Sequence, residues 1–175
     1  IGLSQSEIYD SLTANDLIDA KDKFRAKQIW HWLYNKGETD FEKMSSISKE
    51  LRSKLPKFYQ IKRPTIQTHE KSVDGTQKWL FKLNDGNLIE TVFIPEDNRG
   101  TLCVSSQVGC TLNCTFCYTG TQKLVRNLTS EEIVSQLLVA KDELSDWSNK
   151  RGRKISNVVF MGMGEPLYNY NNVKQ

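Results

Sequence analysis

The stretch Thr101-Leu102-Cys103-Val104-Ser105-Ser106-Gln107 reads as a strand. It runs into Val108-Gly109-Cys110-Thr111-Leu112-Asn113-Cys114-Thr115-Phe116-Cys117, a loop that holds three of the four cysteines. Downstream, Thr129-Ser130-Glu131-Glu132 has capping-box spacing, and Ile133, Leu137, Ala140 and Leu144 recur along one helical face. Residues 155–161 form a second apolar run of strand length, which breaks at Gly162-Met163-Gly164-Glu165-Pro166. Strand, helix and strand of these lengths predict a βαβ unit with a parallel pair. In such a unit the loops leaving both strands emerge on one carboxyl edge, where α/β folds place their chemistry. The cysteine loop and the Gly-Met-Gly-Glu loop are therefore expected to be neighbours.

Cys110, Cys114 and Cys117 are separated by three residues and then two. Three thiolates on one short loop can cap one face of a metal cluster. Zinc with Cys103 as fourth ligand is the alternative. Zinc sites usually pair two separate knuckles, and a thiol in a strand seven residues upstream is an awkward partner. An iron–sulfur cluster with three protein thiolates leaves one iron open to an external ligand. That arrangement points to substrate or cofactor chemistry rather than electron storage. All four cysteines fall between 103 and 117, too close together to staple a chain of 175 residues, so a metal or redox role is favoured over a disulfide framework.

Upstream, Trp79, Phe81 and Leu83 alternate with Lys78, Leu80 and Lys82. Asn84-Asp85-Gly86-Asn87 supplies turn chemistry before the apolar run 88–94. A hairpin is expected. A turn centred on Asp85-Gly86 would pair Glu90 with Phe81, on the face that carries Trp79, Leu83, Leu88 and Val92, with Lys78 and Lys82 on the other. A carboxylate on an apolar face is disfavoured in its charged form, which makes Glu90 a candidate base. A slip of one residue would undo this assignment. Glu96 reads as part of a solvated loop.

The first sixty residues read as helical. Ala26, Ile29, Trp30 and Leu33 share a face ahead of Gly37, and Ser48 caps a short helix carrying Leu51 and Leu55 before Pro56. Pro64 marks a boundary. The expected organisation is a helical, RNA-binding-type domain over 1–63, a β-hairpin linker over 64–97, and an incomplete α/β core over 98–175. The net charge is +3, but residues 41–82 carry ten Lys and Arg against four Asp and Glu. That segment and the Lys150–Lys154 loop are candidate RNA contacts. Trp30, Trp32 and Tyr34 could stack on bases, although core packing suits Trp30 better. With 38% hydrophobic residues, wholesale disorder is excluded, and no apolar run is long enough to span a bilayer. No secretory signal is read at the start. The chain begins at Ile1 and stops at Gln175 just after a strand and its loop, and so reads as a fragment.

The CxxxCxxC loop after a strand resembles the signature of the radical S-adenosylmethionine (SAM) superfamily. The stretches 101–110 and 159–167 resemble more narrowly the RlmN family, which methylates C2 of adenine in 23S rRNA and tRNA, and the resemblance extends through the helical N-terminal module. It implies a truncated partial (β/α) barrel in which Cys110, Cys114 and Cys117 hold a 4Fe–4S cluster. The fourth iron then binds the amino and carboxylate groups of SAM, and Gly164 and Glu165 contact its amino group. It further implies that Glu90 is the proton acceptor and that Cys103 resolves a protein–RNA adduct through a transient disulfide. The partner in that disulfide is a methyl-bearing cysteine near the family's C-terminus, which has no counterpart here. A reductant such as flavodoxin or ferredoxin and a cytoplasmic setting are implied as well. Within the superfamily the rival is the Cfr-like branch, which methylates C8; Pro166 and Val108 look more like the C2 branch. A non-catalytic zinc or RNA-binding module is the rival of a different class. A full α/β barrel takes about 250 residues, so residues 1–175 alone are not expected to methylate RNA.

Overall fold

In the computed structural model, which describes residues 1–147 and 152–175, the chain divides into two compact units, Leu3–Lys62 with Ile1 and Arg63–Gln175 with Gly2. Lys150 and Arg151 of the basic loop named above lie outside the described residues.

The first unit consists of α1 (Gln5–Ala14), α2 (Phe24–Tyr34) and α3 (Lys49–Phe58). Ser4 and Glu7 form a capping box that satisfies the first amides of α1, and Ser48 caps α3 through Leu51. The apolar faces close on Ile8, Leu12, Ala26, Ile29, Leu33, Met44, Leu51 and Leu55. Contrary to expectation, α3 does not stop before Pro56 but runs on to Phe58. The proline removes only its own N–H, and Tyr59 still donates to the Leu55 carbonyl at 2.9 Å. Trp30, Trp32 and Tyr34 pack against the core, with the Trp30 and Tyr34 rings 5.1 Å apart and Trp32 Nε1 donating to Ser46 Oγ.

The second unit is built on a five-stranded sheet. In chain order its strands include β1 (Thr65–Lys71), β2 (Gln77–Lys82), β3 (Leu88–Glu96) and β4 (Arg99–Cys103), each antiparallel to the one before. β5 (Gln107–Val108) and β6 (Arg126–Asn127) form a separate two-stranded ladder. After α4 (Ser130–Glu143), β7 (Asn157–Val159) returns parallel to β4, and α5 (Tyr170–Lys174) follows. The order across the sheet is β1-β2-β3-β4-β7. The expected α/β class and the parallel βαβ unit are present, and the Thr129–Glu132 capping box starts α4. Ile133, Val139 and Ala140 of α4, with Leu144 at its C-terminal cap, join Trp79, Phe81, Phe93 and Leu102 of the sheet in one core.

Both parallel strands are shorter than their apolar runs. Val104 N–H still donates to the Val159 carbonyl at 2.9 Å, but at Ser105 the backbone turns to a side chain: Ser105 N–H donates to Gln136 Oε1 at 2.8 Å, and Gln136 Nε2 donates to the Ser105 carbonyl at 2.9 Å.

The hairpin register differs from expectation by one residue. Leu83 N–H donates to the Asn87 carbonyl at 2.8 Å and Gly86 N–H to the Leu83 carbonyl at 3.0 Å, so the loop is Asn84-Asp85-Gly86. Gly86, at φ +87°, takes the left-handed position of a three-residue loop. Phe81 therefore pairs with Ile89, and Leu80 with Glu90. Asp85 stays ionised well below the usual carboxylate range, at about 2, because the Asn87 amide donates to it first and the Arg126 guanidinium adds to that.

Candidate functional site

The one-residue shift moves Glu90 to the other face of the sheet. Ile89, Thr91 and Phe93 point into the core beneath α4, whereas Glu90 lies with Lys78, Leu80 and Val92 on the opposite face. The cross-strand ion pair excluded by the expected register is therefore present: Lys78 Nζ lies 3.6 Å from Glu90 and 3.5 Å from Glu70. The apolar-face argument for Glu90 as a base is overturned. The correct register makes a different neighbour available. Cys103 pairs with Val92 and with Val159, so thiol and carboxylate share the sheet face away from α4 as diagonal neighbours. The Glu90 backbone is fixed as well, since its carbonyl accepts from Ser105 Oγ at 2.6 Å and the same hydroxyl accepts from Met163 N–H at 2.9 Å.

Half-burial pushes the Cys103 thiol above its ordinary range. Raising the pKa keeps the neutral form at pH 7, and the thiolate accumulates only as pH climbs through the raised value. Iodoacetamide labelling at Cys103, followed by mass spectrometry, should rise about tenfold per pH unit from pH 7 to 9. In the urea-unfolded chain it should level off near the ordinary thiol value. Levelling at the same pH in both states would contradict the burial effect.

The carboxyl edge of β4 and β7 brings the two loops together. Ser106 and Gln107 N–H both donate to the Met163 carbonyl, at 2.8 and 3.2 Å. Glu165 N–H donates to Gln107 Oε1 at 3.0 Å, and a methyl group on Gly164 would stand 2.4 Å from Gln107 Cβ. The Glu165 carboxylate accepts from Leu167 N–H at 3.1 Å and caps the short turn Pro166–Asn169. Asn169, buried, ties this turn to the Ser106 and Leu128 carbonyls at 2.8 Å each.

The cysteine loop folds back through tight turns. Cys117 N–H donates to the Cys114 carbonyl at 3.1 Å and Gly120 N–H to the Cys117 carbonyl at 3.0 Å. All four cysteines are half-buried free thiols. Among the described residues, no three His, Cys, Asp or Glu side chains converge in a ready-made metal site. The donor set still suits a thiolate-held cluster. The segment 110–117 offers three thiols and no carboxylate or imidazole, and Leu112 N–H points at Cys110 Sγ at 3.4 Å. Around this edge Phe116, Tyr118, Met161, Leu167 and Tyr168 are exposed.

Sequence reasoning overlooked Ser105, Gln107 and Gln136, all fully buried. The signal was present: Ser105-Ser106-Gln107 interrupts an apolar strand, and Gln136 falls three residues after Ile133 on the core face of α4. A buried polar side chain needs partners. Gln136 finds them in Ser105 and in Thr91 Oγ1 at 2.8 Å.

Residues 14–61 match the ribosomal RNA large subunit methyltransferase N-terminal domain, and residues 104–175 match the radical SAM superfamily. The dual-specificity RNA methyltransferase RlmN of Parvibaculum lavamentivorans is 56% identical over 183 residues, covering 99% of this chain and 46% of that protein. The protein of the same name from Zymomonas mobilis is 52% identical over 175 residues, covering 99% and 45%. A crystal structure of a radical SAM methyltransferase from Sphaerobacter thermophilus superposes with a TM-score of 0.85 at 37% identity, covering 99% of this chain and 49% of that one. The chain thus spans about half the length of the relatives it matches. On both domain matches and on 56% identity across 99% of its length, the chain belongs to the RlmN family of radical SAM proteins.

Proposed function

We propose that this chain carries the helical module and the cluster- and SAM-binding segment of a methyltransferase acting on C2 of adenine in 23S rRNA and tRNA. One observation carries the reading: the cysteine loop and the Gly164-Glu165 turn, far apart in sequence, meet at one sheet edge through Gln107. The names of the half-identical relatives give the substrate class. Cys110, Cys114 and Cys117 are the residues to hold a 4Fe–4S cluster, which when bound would supply the electron for reductive cleavage of SAM at its open iron. Gly164 and Glu165 would face the SAM amino group, an ammonium that carbonyl and carboxylate oxygens can accept from.

The shared sheet face supports paired roles for Glu90 and Cys103. Glu90 would take the proton lost from adenine, with Lys78 holding the carboxylate. Cys103, kept protonated by burial, would resolve the adduct only after losing its proton. The basic segment 41–82 would serve RNA phosphates. A flavodoxin- or ferredoxin-type reductant and a cytoplasmic setting belong to the same proposal; no helix among the described residues is long and apolar enough to cross a membrane.

The test is a chimera in which residues 1–175 replace the matching segment of the P. lavamentivorans relative. Incubated with 23S rRNA, SAM and reductant, it should yield 2-methyladenosine on nuclease digestion and none in its Cys114→Ala form. A methyl group at C8 would place the chain in the Cfr-like branch, and no methylation by a folded, cluster-loaded chimera would overturn the assignment.

A further inference from the structure

Gln107 is 0% exposed, and its carboxamide stands between the two loops of the site. Its Oε1 accepts from Glu165 N–H at 3.0 Å and from Thr111 N–H at 3.2 Å. Its Nε2 donates to Asn127 Oδ1 at 2.7 Å and to Thr111 Oγ1 at 2.9 Å. Two backbone donors on one side fix which end of the amide is oxygen. Thr111 directly follows Cys110, and Glu165 completes the Gly-Glu pair. Asn127 lies on β6, the strand by which the cysteine loop returns, and its Nδ2 donates to the Tyr168 carbonyl at 3.1 Å. A single buried side chain therefore holds the start of the loop, its return strand and the turn opposite. A leucine could fill a similar volume. Only an acceptor reaches two amides from segments more than fifty residues apart.

We propose that Gln107 is the positioning residue that sets the spacing between the cysteine loop and the Gly164-Glu165 turn, acting through Thr111 and Glu165 rather than as a ligand. This rests on reading the edge as the cluster and SAM site. The oxygen of Gln107 is the working atom. A glutamate keeps that oxygen, with two amides and a hydroxyl to favour its charge, and gives up only the Nε2 donation to Asn127 and Thr111 Oγ1. A methionine of similar length loses the oxygen.

Two measurements on the 175-residue chain separate this claim from the functional reading beneath it. In the metal-free protein, amide hydrogen exchange should show Thr111 and Glu165 losing protection together, by at least about tenfold, in Gln107→Met. Gln107→Glu should keep both. Protection retained at either amide in Gln107→Met, or lost equally in both variants, would overturn the proposal. In the reconstituted protein, iron content should be unchanged while the SAM concentration that half-shifts the reduced-cluster EPR signal rises at least about tenfold in Gln107→Met. Gln107→Glu should stay within about threefold of wild type. A purely structural role would instead lower stability and iron content in both variants and leave the SAM midpoint of the loaded fraction where it was. A wild type with four irons and no SAM response would count against the proposed function, and the exchange result alone would then decide the role of Gln107.

Discussion

Gly164→Ala should lower the unfolding free energy by about 2–5 kcal/mol, the sum of backbone strain and steric overlap. Gly164 sits at φ +94°, where an L side chain costs about 1–2 kcal/mol. The added methyl would lie 2.4 Å from Gln107 Cβ and 2.7 Å from Gln107 N. The second of these is backbone, so rotating a side chain cannot relieve the contact. The forced shift would add about 1–3 kcal/mol, as overpacking does elsewhere. It would also pull the Glu165 amide from Gln107 Oε1, so the candidate site and the fold should loosen together. Gly86→Ala is the control: φ is +87°, but a methyl there meets nothing within 4 Å. Its cost should therefore be the strain alone, about 1–2 kcal/mol. Urea unfolding followed by tryptophan fluorescence measures both. Equal losses at the two glycines would mean that the close packing of the Gly-Glu turn on Gln107 contributes nothing.

What the sequence made legible was whatever depends on periodicity and spacing. The capping box at Thr129 and the apolar stripe from Ile133 located α4, and two flanking apolar runs implied the parallel β4–β7 pair. Cysteine spacing alone placed three thiols on one loop at the carboxyl edge. The adjacency of that loop to Gly164-Glu165 followed from topology, without any side chain being considered.

Features that turn on a single hydrogen bond were less accessible. The hairpin register depends on whether Gly86 closes a two- or a three-residue loop, and Asn84-Asp85-Gly86-Asn87 is compatible with either. That one residue carried Glu90 from the apolar face to the face it shares with Cys103 and Lys78. Sequence alone suggested a base made reactive by burial; the fold puts the carboxylate beside an ammonium instead. β1 left no pattern to read, because all seven of its residues are exposed and nothing alternates. Its place at the sheet edge comes from pairing with β2. The early ends of β4 and β7 were equally hidden. An apolar run does not reveal that Ser105 will bond to the Gln136 side chain rather than to a strand.

The largest effect expected concerns the cysteine loop itself. Three thiols within 110–117, with no competing oxygen or imidazole donors, should assemble a cluster of about four irons and four sulfides per chain under anaerobic reconstitution. Metal binding of this kind is coupled to local folding, so assembly would close the loop around the cluster. Cys114 is the middle thiol of the three, and its carbonyl anchors the turn that brings Cys117 round. Two remaining thiols cannot hold an open-site cluster, so Cys114→Ala should retain less than about one iron per chain. Its fold should hold, since the substitution leaves that carbonyl in place.

The measurement that decides most is therefore iron, acid-labile sulfide and zinc per chain after anaerobic reconstitution, on the wild type and on Cys114→Ala. The account predicts about four irons and four sulfides in the wild type, lost in the variant, with no stoichiometric zinc. One zinc per chain, no iron, and colourless protein in both would contradict it and leave a metal-stabilised binding module in place of a radical SAM site.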